Sequence, residues 1–212
     1  MHSRREILIG ASLACAATTL SARAQSADRP NPMPEELRKD LERDPTAPVL
    51  GNPEGDITLT EFFDYNCPFC REMVPVVQQL IATDPELRVV YREWPVFGEG
   101  SDFAARASLA SLDQGKYWAF HVALMQMDGR AEEPTVLRVA EKVGLDLDKL
   151  QQDMESQRVI DHVGRSMSLG DHMQLMGTPT FICGDEAVFG KQSLSDLKAL
   201  VARGRATMGV SG

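Results

Sequence analysis

From residue 57 the chain falls into short apolar runs separated by polar breaks, and each run keeps one of two periods. Residues 57–64 (Ile-Thr-Leu-Thr-Glu-Phe-Phe-Asp) are β-branched and aromatic with apolar side chains on both faces, which predicts a central strand covered on both sides. Met73, Val76, Val77, Leu80 and Ile81 then recur at helical spacing, predicting a helix from about Cys67 to Thr83. Residues 88–94 predict a second strand, and strand, helix, strand implies parallel pairing. From Ser101 to Met176 the period is helical, with elements over 103–112, 117–127, 134–143, 147–154 and 159–176, and Pro134 suits a first helical position. Gly177-Thr178-Pro179 breaks that block. A strand follows to Cys183, with the proline confined to its start. Residues 184–186 predict a turn and 187–190 a returning strand. Ser193 and Asp196 form a capping box for a last helix to about Arg203, and the tail beyond it is expected to fray.

Upstream, Met33, Leu37 and Leu41 mark one stripe of a short helix over 35–43. The stripe either packs on its own domain or serves self-association through residues 33–44, and it is too short for a stable coiled coil alone. Residues 44–55, with three prolines and two glycines, read as a linker or an extended edge.

Composition narrows the class. The 212 residues are 43% hydrophobic and 25% charged, which suits one globular domain with a sizeable core. A net charge of −9 argues against nucleic acid as a partner. Ser3-Arg4-Arg5 followed by an apolar stretch to Leu20 and Ala22-Arg23-Ala24 reads as a signal peptide over 1–24 with a twin-arginine look. Its removal takes Arg4, Arg5, Arg23, Glu6 and Cys15, moves the formal charge from −9 to −11, and leaves Cys67, Cys70 and Cys183. The expected location is periplasmic, an oxidising compartment where a disulfide persists.

The chemistry sits in Cys67-Pro68-Phe69-Cys70, a C-x-x-C at a strand-to-helix junction. A helix N-terminus offers unpaired N–H groups and partial positive charge, which favour the thiolate that attacks disulfides. Cys67 is therefore expected to be the exposed attacker and Cys70, one turn in, the buried resolving thiol. The polar approach Asp64-Tyr65-Asn66 suggests a motif at a rim. A zinc site would need two more ligands at matching spacing, and His121, His162 and His172 are scattered, so no metal or cofactor is expected. A purely structural disulfide explains little, because so small a loop gains little entropy on closure. Cys183 reads as a small buried hydrophobe. Met167, Met173 and Met176 with His162 and His172 have the softness for copper(I), but Leu169, Met173 and Met176 also have core helix spacing.

Residues 61–70 (Glu-Phe-Phe-Asp-Tyr-Asn-Cys-Pro-Phe-Cys), together with Gly177-Thr178-Pro179-Thr180-Phe181, resemble the DsbA-like branch of the thioredoxin superfamily. The lead over 44–53 is similar to that of a subgroup that includes the copper-sensitivity suppressor protein ScsC. The resemblance implies an α/β, thioredoxin-like fold with an inserted helical domain: a lead and short helix over 25–48, then a DsbA-like domain over 49–212 with the insertion at about 101–176. It implies that Cys67 is the nucleophile and Cys70 the resolving thiol, that Pro179 is a cis-proline facing them, and that Thr178 offers its backbone to substrate. Glu61 falls at a buried acid able to take the resolving thiol's proton. Phe69 stands where the strongest oxidants carry histidine and adds apolar surface for substrate. The implied function is an exported thiol–disulfide oxidoreductase, expected as an oxidase. A ScsC-type isomerase or reductase, or a copper(I)-binding protein using the same thiolates, is the alternative. The implied partners are cysteine-containing unfolded or misfolded exported proteins and a DsbB-like or DsbD-like membrane redox partner.

Overall fold

The computed structural model describes residues 32–210, so the signal reading over 1–24 lies outside the described residues. Among these residues five strands form one sheet: β1 (Val49–Gly51), β2 (Ile57–Phe63), β3 (Leu87–Glu93), β4 (Thr180–Cys183) and β5 (Glu186–Phe189), in the spatial order β1-β3-β2-β4-β5. β2 and β3 run parallel, and the other three pairings are antiparallel. The helices are α1 (Glu35–Glu42), α2 (Pro68–Thr83) and, between β3 and β4, α3 (Glu99–Ala110), α4 (Tyr117–Gln126), α5 (Glu133–Val143), α6 (Leu147–Met154) and α7 (Gln157–His172), with α8 (Leu194–Met208) last. This is the expected α/β, thioredoxin-like architecture.

The period of two along β2 sorts the two sheet faces. Ile57, Leu59 and Phe63, with Leu87, Val89, Tyr91 and Phe181, join the main core with Met73, Val77 and Leu80 of α2 and Leu197, Leu200 and Val201 of α8. Phe62 and Ile182 face the other way, into a smaller cluster with Leu41, Trp94 and Leu169. The stripe on α1 is thus used on its own domain: Leu41 is fully buried there, with Met33 and Leu37 packed beside it. Met33 and Leu37 stay partly exposed on the same stripe.

An eight-residue helix is marginal by itself, and two arginines on that face of β3 hold α1 down. Arg92, fully buried, donates to the Leu41 carbonyl (2.9 Å) and the Asp40 carbonyl and pairs with Asp44 at 2.7 Å. Arg88 donates to the Glu42 carbonyl at 2.6 Å. These are carbonyls that the helix end leaves without partners. Burial and this pairing make the charged strand 88–94 compatible with a sheet interior.

Part of the 44–55 segment pairs with β3 as the edge strand β1, the extended-edge alternative of its reading. Several boundaries differ from the sequence reading: α3 begins at Glu99 and α7 ends at His172. β5 begins at Glu186, inside the expected turn. α8 continues to Met208 before Gly209 ends it in the left-handed region, so the tail is helical past Arg203.

Leu41→Ala should lower the unfolding free energy by about 2–5 kcal/mol, the usual cost of a truncated core leucine. Urea denaturation measures it, and a change within the noise would place α1 outside the cooperative fold.

Candidate active site

The site is built where β2 ends and α2 begins. Asp64, the first residue after β2, is only 2% exposed. Its Oδ1 accepts from the Asn66 N–H (2.7 Å) and the Ser101 hydroxyl (2.7 Å), and its Oδ2 from the N–H groups of Val96 (2.7 Å) and Phe97 (3.1 Å). The Asp64 carbonyl accepts from the Cys67 N–H at 3.1 Å. Asn66 pairs twice with the Ala131 main chain (2.7 and 3.1 Å), and Arg71 donates to the carbonyls of Tyr65, Met127 and Gly129. The turn before Cys67 is therefore fastened to the segments flanking α3 and to the loop after α4. The expectation of a rim is corrected: Asp64 is buried by the bonds above, and Tyr65 is buried with its hydroxyl on Ser108 of α3 and His121 of α4.

Cys67 occupies the N-cap of α2, with Pro68 in the first turn. Cys70 is buried one turn in. Both are free thiols, so the structure shows the dithiol form. The Thr178–Pro179 peptide is cis, as expected, and in the thiol form Cys67 Sγ donates to the Thr178 carbonyl at 3.3 Å. This loop covers Cys67, which is 2% exposed, so the expected exposed attacker is corrected to a buried one. Phe69 instead carries the exposure, at 51%, and Met176 and Phe189 are also exposed apolar residues.

The two sulfurs are held at opposite acidities. A hydrogen bond from the Cys70 thiol is the main influence lowering Cys67, to about 6; burial opposes it, while the N–H groups of Cys70 and Phe69 assist. Burial pushes Cys70 far above the ordinary thiol range, reinforced by its hydrogen bond to Cys67 and by the charges of Cys67 and Glu61. Glu61 is buried in the middle of β2, where its neighbours in register are Tyr91 on β3 and Phe181 on β4. Burial raises its carboxyl to about 8; the neighbouring Tyr91 hydroxyl opposes this and the Cys67 charge adds to it. The structure thus gathers Glu61, Cys67, Phe69, Cys70, Thr178 and Pro179 around one point.

It does not gather the remaining candidates. Cys183 is buried, with its thiol raised to about 12 by burial. His162 lies 2.8 Å from Glu93, and Met167 and Met173 pack around the Leu41 cluster. No cluster of three or more His, Cys, Asp or Glu suited to a metal occurs among the described residues. The residues that sequence reasoning passed over are Asp64, Asn66 and Arg71, whose partners lie 30 or more positions away except for Arg71's bonds to Tyr65 and Asp64's to Asn66 and Cys67.

A family model described as a DSBA-like thioredoxin domain matches residues 58–202, and the chain belongs to that family. A thioredoxin-like oxidoreductase from Silicibacter pomeroyi DSS-3 is 55% identical, with a TM-score of 0.78 over 80% of this chain and 98% of that one. Proteus mirabilis ScsC in a compact conformation shares the fold at 21% identity, with a TM-score of 0.75 over 92% of this chain and 90% of that one. Among curated proteins, the Na(+)/H(+) antiporter NhaA 3 of Salinispora tropica is 28% identical over 155 residues, 72% of this chain. The chain spans about a quarter, 24%, of that relative's length.

The raised Glu61 carboxyl fixes a pH dependence. The folded state keeps a proton that the unfolded chain releases from about pH 4.5, so Glu61 costs stability increasingly between about pH 4.5 and 8. The unfolding free energy of the wild type minus that of Glu61→Gln should therefore fall with rising pH across this window and level off above it. A difference independent of pH would contradict the raised carboxyl.

Proposed function

We propose that this chain is an exported thiol–disulfide oxidoreductase that acts as an oxidase on cysteine pairs of unfolded proteins. The observation that carries the reading is the asymmetry of the cysteine pair: Cys67 ionises at about 6 while Cys70, beneath it, keeps its proton. A thiolate stabilised in the reduced form makes the disulfide a stronger oxidant. The N-terminal signal pattern supports export to the periplasm.

In the oxidised protein a client thiolate attacks Cys67 Sγ. The Cys67–Cys70 bond breaks, and Cys70 leaves with the electron pair and takes a proton, which Glu61 holds at neutral pH. The mixed disulfide joins Cys67 to the client. A second client thiolate attacks the client's own sulfur and expels Cys67 as a thiolate, a good leaving group at its lowered pKa. The client has lost two electrons and gained a disulfide, and the protein is left as the dithiol. A DsbB-like membrane partner would accept those electrons; a DsbD-like one would serve the reverse reaction. Thr178 offers its main chain to an extended client, a reading supported by its carbonyl's contact with Cys67 Sγ; Pro179 shapes that loop, and Phe69 with Met176 and Phe189 offers apolar surface to unfolded chain.

Copper(I) binding through the pair would displace the proton that burial keeps on Cys70. An oxidase is distinguished from a reductase by its potential. Equilibration with glutathione should place the pair at or above the roughly −180 mV of protein disulfide isomerase, and a value near the about −270 mV of thioredoxin would assign reduction instead.

Cys67→Ser should bring oxidation of a reduced, unfolded protein down to the uncatalysed rate, while Cys70→Ser should accumulate a mixed disulfide through Cys67, visible by mass. Unchanged turnover by Cys67→Ser would remove the enzymatic reading.

A further inference from the structure

We propose that Asp64 is a positioning residue for the exchange reaction, aiming the Cys67 turn so that the α2 N–H groups meet the Cys67 sulfur. The proposal rests on the oxidoreductase reading above and adds a residue to its machinery. Asp64 reaches the cysteine turn through its main chain as well: its carbonyl accepts from the Cys67 N–H. Its side chain closes that turn and ties it to two other places. Asn66 N–H belongs to the turn itself, Val96 and Phe97 to the loop after β3, and Ser101 to the first turn of α3.

The carboxylate has no ion-pair partner among the described residues. Four donors, three of them backbone N–H groups, and the N-terminal end of α3 satisfy it instead. Such an arrangement is directional: each donor fixes an angle as well as a distance, where a lysine would fix little more than a distance. Ser101 serves twice, donating to Asp64 while accepting from the Asn66 amide at 3.0 Å. Asn66 then continues the chain to Ala131. A shift of the carboxylate therefore moves the turn that carries Cys67 relative to Thr178, and a displacement of about 1 Å at a reacting atom costs up to about a hundredfold in rate.

The test is the pH dependence of Cys67 alkylation, with the rate of exchange with glutathione disulfide, in reduced Asp64→Asn and Ser101→Ala proteins. Removing a negative charge beside the pair would, on electrostatics alone, make Cys67 more acidic. The proposal expects the opposite sign. In Asp64→Asn the alkylation midpoint moves up toward the ordinary cysteine value and exchange at neutral pH slows about tenfold or more. Ser101→Ala, which keeps the charge, moves both in the same direction by less. A midpoint that falls or stays still in folded Asp64→Asn overturns the proposal, because a residue that only stabilises the fold would lower the melting temperature alone. If Asp64→Asn does not fold, Ser101→Ala decides by the same sign. A wild type whose Cys67 titrates as an ordinary thiol contradicts the functional reading itself; a wild type with an acidic Cys67 and unchanged variants contradicts only the role of Asp64.

Discussion

Three ionisable groups share one buried site beneath the start of α2, and that site accommodates a single negative charge. Cys67, Cys70 and Glu61 all face the cost of losing water, but only at Cys67 do the surrounding donors, the Cys70 thiol foremost, outweigh it. Once Cys67 is ionised, its charge helps keep the other two protonated. The result is a nucleophile, a protonated partner and an acid ready to give up a proton, all from one electrostatic constraint. Moving any of the three toward water would relax the difference between them.

The rest of the fold holds this site closed. β2 delivers Glu61 from below, buried beside its register neighbours Tyr91 and Phe181. The cis Thr178–Pro179 loop covers Cys67 from above. Asp64, Asn66 and Arg71 fasten the cysteine turn to the helices between β3 and β4, which are thus tied to the site by hydrogen bonds as well as apolar packing. On the far face of the sheet α1 is held by Arg88 and Arg92, so the strand that positions Tyr91 beside Glu61 is itself braced.

Much of this was legible in the sequence. The change of period at Cys67, the parallel strand pair and the Thr-Pro break are local patterns, and local patterns survive being read one segment at a time. The family resemblance then pointed to Glu61, Thr178 and Pro179. What escaped was set by distant partners. Cys67 reads as exposed because a helix start next to Asp64-Tyr65-Asn66 looks polar, yet its cover comes from Thr178, 111 positions on. Asp64 reads as a surface residue because nothing nearby in sequence shows that Val96, Phe97 and Ser101 supply its hydrogen bonds. The Leu41 stripe left two readings open, since the residues it packs against, Phe62, Trp94 and Leu169, lie on other elements.

The most direct test of the single-charge site is an ultraviolet titration of thiolate in the reduced wild-type protein. Cys183, raised to about 12, stays silent in the neutral range. The account predicts one thiolate appearing with a midpoint near pH 6, assigned to Cys67 by mapping the alkylated residue, and no second thiolate until strongly alkaline pH. Two thiolates titrating together near the ordinary cysteine value would contradict it.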